Sequence, residues 1–246
     1  MRLLFVFLAL SAFAGAQSLT QPARRKVGPT PSYEAHRSAT LLKIDGRLDE
    51  AEWQKAAPIT YQFPWDAQTG AKQKTTARIL WDDSFLYVGY QCEDTDITAR
   101  FTQRDDPTYM DDAVELYVNP NPSQDITYFG FEMNARGVMY DYFLTYPKFI
   151  LLKRFNLEGF HLATTLDGTL NQSGDQDKGW TLEVAIPWEN FSDLGARPKP
   201  GTEWKIQLVR WDGTEPHRRL SIWSDSALES AFPHNPARFG TVRFID

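Results

Sequence analysis

Aromatic rings and carboxylates are the groups this chain supplies most freely for chemistry: eight tryptophans in a sequence that is 14% aromatic, with 32 acidic residues. Flat rings close a hydrophobic core, or they stack on the C–H faces of sugars, and composition does not separate the two uses. Two side chains stand out by position. Glu115 lies in the run Ala113-Val114-Glu115-Leu116-Tyr117-Val118, opposite the face formed by Val114, Leu116 and Val118. A carboxylate there can accept hydrogen bonds from hydroxyl groups, although a solvated glutamate on a strand face is its ordinary use. Trp211 points opposite Trp204 in its run and stands beside Asp212-Gly213, so it offers a ring outside the core. Trp65 is similarly unconstrained.

Acidic pairs recur at Asp94/Asp96, Asp105/Asp106 and Asp111/Asp112, all in or beside loops. Calcium takes several carboxylate and carbonyl oxygens from such loops, which makes Asp94, Asp96 and Asp111 candidate ligands of a structural calcium ion. They lack the ordered spacing of an EF-hand, and solvated loops are the plainer use. No other cofactor is indicated. His36, His161, His217 and His234 are scattered, with no zinc spacing, nucleophile elbow or glycine-rich phosphate loop around them. His217, flanked by Arg218 and Arg219, reads as surface. A hydrolase of O-glycosyl bonds needs two carboxylates about 5–10 Å apart, and no motif marks such a pair, so no catalytic residue is assigned. A third use would join Met110, Met133 or Met139 to His161 as ligands of haem b in an electron-transfer sandwich, against the commoner role of strand methionines as core filler.

The elements that must carry these residues are strands. Alternation of period two puts Leu86, Val88, Tyr90 and Cys92 on one face, and Trp180, Leu182, Val184 and Ile186 on another. Turn signals separate the runs at Asp82-Asp83-Ser84, Asn119-Pro120-Asn121-Pro122, Asn134-Ala135-Arg136-Gly137, Asp167-Gly168 and Asp212-Gly213. Helical signals are few: residues 48–57, with Asp45 or Asp49 to cap them, and a turn or two after Pro187. Many short strands with little helix predict an all-β fold, an antiparallel β-sandwich or jelly roll with one or two short helices. Trp53, Trp81, Trp180 and Trp204 are expected in its core.

Residues 1–16 read as a secretory signal peptide: Arg2, then an apolar stretch, then the small-residue site Ala14-Gly15-Ala16. The apolar run is shorter than the roughly 20 residues a spanning helix needs, so an exported protein, secreted or periplasmic, is expected. Residues 17–32, with Pro22, Pro29, Pro31 and Arg24-Arg25-Lys26, read as a flexible leader, and residues 33–246 as one domain. A formal net charge of −6 without a basic stripe argues against nucleic acid as a partner. The single cysteine, Cys92, cannot form an intrachain disulfide.

Read in order, the short motifs add a resemblance. They are Ile44-Asp45-Gly46 with Leu48-Asp49-Glu50 and Trp53; Trp81-Asp82-Asp83 with Leu86-Tyr87-Val88; and Asp112-Ala113-Val114-Glu115-Leu116. Then follow Trp180, Glu183, Ile186-Pro187-Trp188, Trp223-Ser224, and Phe232 through Phe239-Gly240. The series resembles the family 9 carbohydrate-binding modules, exported β-sandwiches. The resemblance implies a non-catalytic domain that binds a mono-, oligo- or polysaccharide and serves carbohydrate catabolism beside partner glycoside hydrolases. It also implies a sugar gripped between two rings, where family members have tryptophans. The matching positions here are Tyr109, before the Asp-x-Val-Glu motif, and Phe232, before Pro236-Ala237-Arg238-Phe239-Gly240, with His234 beside it. Stacking and plain packing are equally open to both rings. Glu115 matches the family's acidic strand residue. The family's arginine on the next strand has no counterpart among Phe129, Phe131 and Met133.

Overall fold

The computed structural model describes residues 23–146, 150–152 and 155–246; the expected signal peptide and residues 17–22 of the expected leader lie outside these. Thirteen strands are described: β1 (Ser32–Arg37), β2 (Ile59–Thr60), β3 (Thr75–Trp81), β4 (Phe85–Glu93), β5 (Ala113–Asn119), β6 (Thr127–Asn134) and β7 (Met139–Thr145), then β8 (Ile150–Leu152), β9 (His161–Asp167), β10 (Gly179–Pro187), β11 (Glu203–Asp212), β12 (Arg219–Ile222) and β13 (Gly240–Ile245). They form one sheet in the order β8-β7-β6-β5-β11-β13-β1-β3-β4-β10-β9, with β12 beside β11 and β2 beside β3. The sheet curls into a half-barrel, the all-β architecture expected. Neighbours are antiparallel except around β1, which runs parallel to both β13 and β3.

Curling brings one face of every long strand into a shared core. Val114, Leu116 and Val118 of β5, Phe129, Phe131 and Met133 of β6, and Trp180, Leu182, Val184 and Ile186 of β10 all belong to it. A second cluster covers the opposite face of β5, β6, β7 and β11, built from Tyr117, Tyr128, Tyr142, Val209, Phe239 and Trp65. Trp53, Trp81, Trp180 and Trp204 are buried, as expected. Trp65 is buried too: its indole N–H donates to the Leu228 carbonyl at 2.9 Å, so it presents no free platform.

The first motifs are a folding device. Glu183 Oε2 accepts from the backbone N–H groups of Asp45, Gly46 and Arg47 at 2.9, 2.8 and 3.1 Å, while Oε1 accepts from the Trp53 indole at 2.8 Å. Gly46 has a φ of +85° and lies against the Thr164 backbone, where a Cβ would come within 2.5 Å. Asp45 and Asp49 do not cap the helix, which is only Ala51–Lys55 and starts after Glu50. The Asp45 side chain accepts instead from the Arg47 N–H.

The expected leader is tied down over its described part. The Arg25 N–H donates to Ala227 O at 2.6 Å and its guanidinium pairs with Asp225 at 2.8 Å. Glu229 N–H donates to Ala23 O, and Arg238 reaches Gly28 O.

Candidate functional site

The outer face of β5, β6, β7 and β11 carries the polar chemistry. Register sets Val209, Glu115, Glu132 and Tyr140 in one row across the four strands, and Gln207, Tyr117, Gly130 and Tyr142 in the next. Glu115 and Glu132 are therefore directly opposite each other, with Cβ atoms expected about 5 Å apart. Both are buried, at 1% and 4% exposure. Gly130 makes room for the Tyr142 ring, which a Cβ would meet at 2.2 Å.

Each carboxylate is held by a tyrosine hydroxyl. Tyr117 donates to Glu115 Oε2, and Tyr142 donates to Glu132 Oε1 at 2.9 Å. Burial pushes the Glu115 carboxyl up to about 7, against the pull of the Tyr117 bond, the Arg218 charge and the Trp211 indole. Burial and then the Glu115 charge push Glu132 further upward. Like charges at this spacing cannot both ionise cheaply, so the pair titrates as a unit.

Two aromatic arms lead to this pair. On one side Tyr109, 39% exposed, packs on Tyr140 (centroids 6.2 Å apart), and Tyr140 packs on Tyr142 at 5.4 Å. The turn carrying Tyr109, Thr108–Met110, is fixed by the Thr108 hydroxyl donating to the Glu132 carbonyl at 3.0 Å. On the other side Phe232 lies 4.9 Å from the His234 ring, which stacks on Tyr117 at 4.8 Å. The Tyr128 hydroxyl and His234 Nδ1 pair at 2.7 Å. Burial among these rings pushes the imidazole down to about 3, so it is neutral. Tyr109 and Phe232 thus head separate arms that meet at the carboxylates, with His234 inside one of them.

Trp211 belongs to the same face, and its ring is already covered on one side: the Arg218 guanidinium lies 4.2 Å from the centroid. Arg218 comes from the turn between β11 and β12, and its Nε and Nη2 are buried without hydrogen-bond partners. Glu132 Oε2 is likewise unpartnered. The site therefore keeps spare donors and a spare acceptor beside exposed rings, which suits a ligand bearing both hydroxyls and apolar C–H faces.

Sequence reasoning placed Glu115 and Trp211 here but missed Glu132 and Arg218. Phe129, Phe131 and Met133 face the core, and strict alternation leaves Glu132 on the Glu115 face. His217 is exposed, as expected, while beside it Arg218 is half-buried and Arg219 buried.

The expected calcium ligands are not gathered into one site. Asp94 clusters instead with Asp112 and Asp212, oxygen atoms of all three lying within 4.8 Å of one another. The cation among them is Arg210, whose Nη2 donates to Asp94 at 2.7 Å and Asp212 at 2.6 Å and stands 4.0 Å from Asp112. With the guanidinium filling that place, these residues do not fit a calcium ion. Asp96 is exposed, and Asp111 accepts from Phe101 N–H and Asn134. The haem pairing fails on geometry. Met133 and Met139 are in the inner core, whereas His161 is on the outside of β9 against Phe85, and Met110 is exposed.

The outer face of the all-β half-barrel thus gathers aromatic arms around buried carboxylates. The profile of the Carbohydrate family 9 binding domain-like family matches residues 44–246, and the chain belongs to that family. It is 27% identical over 189 residues to the exoglucanase XynX of Acetivibrio thermocellus and 26% identical over 189 residues to endo-1,4-beta-xylanase A of Thermoanaerobacterium saccharolyticum. The alignments cover 76% of this chain but only 15% and 14% of those enzymes. Among solved structures, a Bacteroides uniformis protein superposes with a TM-score of 0.74 at 18% identity, over 87% of this chain and 99% of the other. A family 9 module of Caldicellulosiruptor kristjanssonii, solved with cellotriose, gives 0.61 at 17% identity, over 87% and 93%. These two likenesses establish the fold.

Proposed function

We propose that the protein is an exported, non-catalytic module that binds the end of a neutral β-1,4-linked oligosaccharide and works beside separate glycoside hydrolases. The observation that carries this reading is the convergence of the Tyr109 and Phe232 arms on Glu115 and Glu132, with unpartnered donors on Arg218. Rings supply stacking, while carboxylates and guanidinium read the hydroxyls. The solved relative that holds cellotriose supports the choice of ligand class. Export rests on the signal-like start of the sequence, and no helix among the described residues is long and apolar enough to cross a membrane.

Calorimetric titration with cellotriose and xylotriose tests the reading. Tyr109→Ala and Phe232→Ala should each weaken binding by about 1–3 kcal/mol, the scale of one lost stacking face. No heat of binding from either sugar rejects the proposal. A second reading, hydrolysis, is favoured only by the facing carboxylates. Incubation with xylan and cellulose should release no reducing sugar, and turnover abolished by Glu132→Gln would install that reading instead.

A further inference from the structure

Phe232, the ring that heads one arm of the site, stands in a stretch without regular structure. No strand or helix lies between the end of β12 at Ile222 and the short turn that begins at Pro236. A loop of that length does not place a ring by itself, because ordering each of its residues costs conformational entropy. Something outside the loop has to hold it.

The leader does so. The Arg25 N–H donates to Ala227 O at 2.6 Å, the Glu229 N–H donates to Ala23 O at 2.8 Å, and an antiparallel bridge pairs Arg24 with Leu228. Arg25 adds its side chain: Nε donates to Leu228 O at 3.0 Å and Nη2 to Asp225 Oδ1 at 2.8 Å. The same Oδ1 accepts from the Ala227 N–H at 2.8 Å, and Ala227 has a φ of +61°. An L-residue keeps that left-handed conformation only where its surroundings enforce it. Arg25 thus fixes a bend shortly before Phe232.

The far side of the loop closes onto the same residues. Asn235 Nδ2 donates to Ser226 O at 2.7 Å, and Arg238 donates through Nε to Asp225 O at 3.2 Å and through Nη2 to Gly28 O at 2.7 Å. The Arg25–Asp225 pair is partly open to solvent, its side chains 30% and 14% exposed. Pairs of that kind contribute little to the stability of a whole domain, so the effect of this one is local.

We propose that Arg25 is a positioning residue for the binding site, holding the 225–238 loop so that Phe232 meets the sugar. The proposal rests on the sugar-binding reading above and makes residues 23–31 a working part of the site. When the loop occupies its binding position only part of the time, apparent affinity falls by that fraction.

The test is calorimetric titration of the full chain with cellotriose in two double-mutant cycles. Arg25→Ala alone should weaken binding about three- to tenfold, and by no more than Phe232→Ala does. In the Phe232→Ala background the same change should cost less than about twofold, since no ring is left to place. In the Tyr109→Ala background its full factor should return. Wild-type affinity in Arg25→Ala overturns the inference and leaves the sugar-binding reading intact. An equal loss in both backgrounds also overturns it, because Arg25 then acts through the fold at large. If Arg25→Ala does not fold, Arg25→Lys, which keeps a cation beside Asp225 but has no Nε donor for Leu228 O, enters the same cycles with the same expected pattern. Failure of cellotriose to bind the wild type defeats the sugar-binding reading, and this one with it.

Discussion

The protein contains two constellations made from the same parts, an arginine laid over a tryptophan among carboxylates, and they have opposite fates. Arg210 lies over Trp180 at 4.8 Å, is 1% exposed, and gives its Nη2 to Asp94 and Asp212. Arg218 lies over Trp211 at 4.2 Å on the half-open face and leaves Nε and Nη2 unbonded. In the first, Nη2 serves two aspartates while Nε and Nη1 are buried without partners, and charge ties β11 to the residues that follow β4 and precede β5. In the second, the carboxylates are bonded by tyrosines rather than by the arginine, which gives no N–H group to a carboxylate. Composition cannot distinguish a structural arginine from a recognition arginine; whether its N–H groups are already bonded to carboxylates can.

The comparison breaks most visibly at Arg210. Arg210→Met strands three buried carboxylates and should cost about 3–5 kcal/mol, lowering Tm by roughly 10 °C for a domain of this size. A melt within about 2 °C of wild type would show that the aspartates are not charged as drawn. Arg218→Met should separate the two constellations cleanly. Thermal stability should fall by less than about 1 kcal/mol, while cellotriose affinity drops about tenfold through lost donors.

pH sharpens the contrast further. Burial, opposed by Arg210 and aided by Asp94 and Asp212, pushes Asp112 up to about 7 from 3.8; Glu115 rises to about 7 from 4.5, again chiefly through burial. A carboxyl raised in the folded state binds more protons folded than unfolded. Its stabilising contribution is complete below the unfolded value and is lost as pH rises through the folded one. Tm should therefore decline from about pH 5 to about pH 8, and Asp112→Asn should flatten part of that slope. A Tm that climbs over this range contradicts both assignments. The smallest effect is the most diagnostic of Arg210's place: excess EDTA should move Tm by less than about 1 °C, since a bound calcium ion would otherwise contribute to stability.

The fold was legible because it rests on alternation and turns, which are local. Val114, Leu116 and Val118 announced their face without knowledge of any partner strand. Glu115 was legible for the same reason. Glu132 and Arg218 were not, since their roles depend on which residues stand across a strand pair or above a neighbouring ring. Glu132 had a signal, alternation against Phe129, Phe131 and Met133, but it is an acid on the strand where the family resemblance implies an arginine. Asp94, Asp112 and Asp212 come from three separate segments, and nothing in their spacing shows that Arg210 stands among them. Residues 23–31 look like a linker by composition, and only the long-range bonds to residues 225–238 show that they are held.

The parallel strand β1 has a consequence for how the chain reaches this state. It is paired to residues 241–245 on one side and 80–81 on the other. The sheet is thus two antiparallel ribbons joined along a single seam. During synthesis, the ribbon containing β3, β4, β9 and β10 emerges completely before β13 exists. The β1 backbone must wait through some 200 intervening residues for its second partner, a closure whose entropic cost is met late and which sets a slow step in folding. Until β13 forms, the strands it joins, β11 and β1, present sheet edges that the finished fold covers.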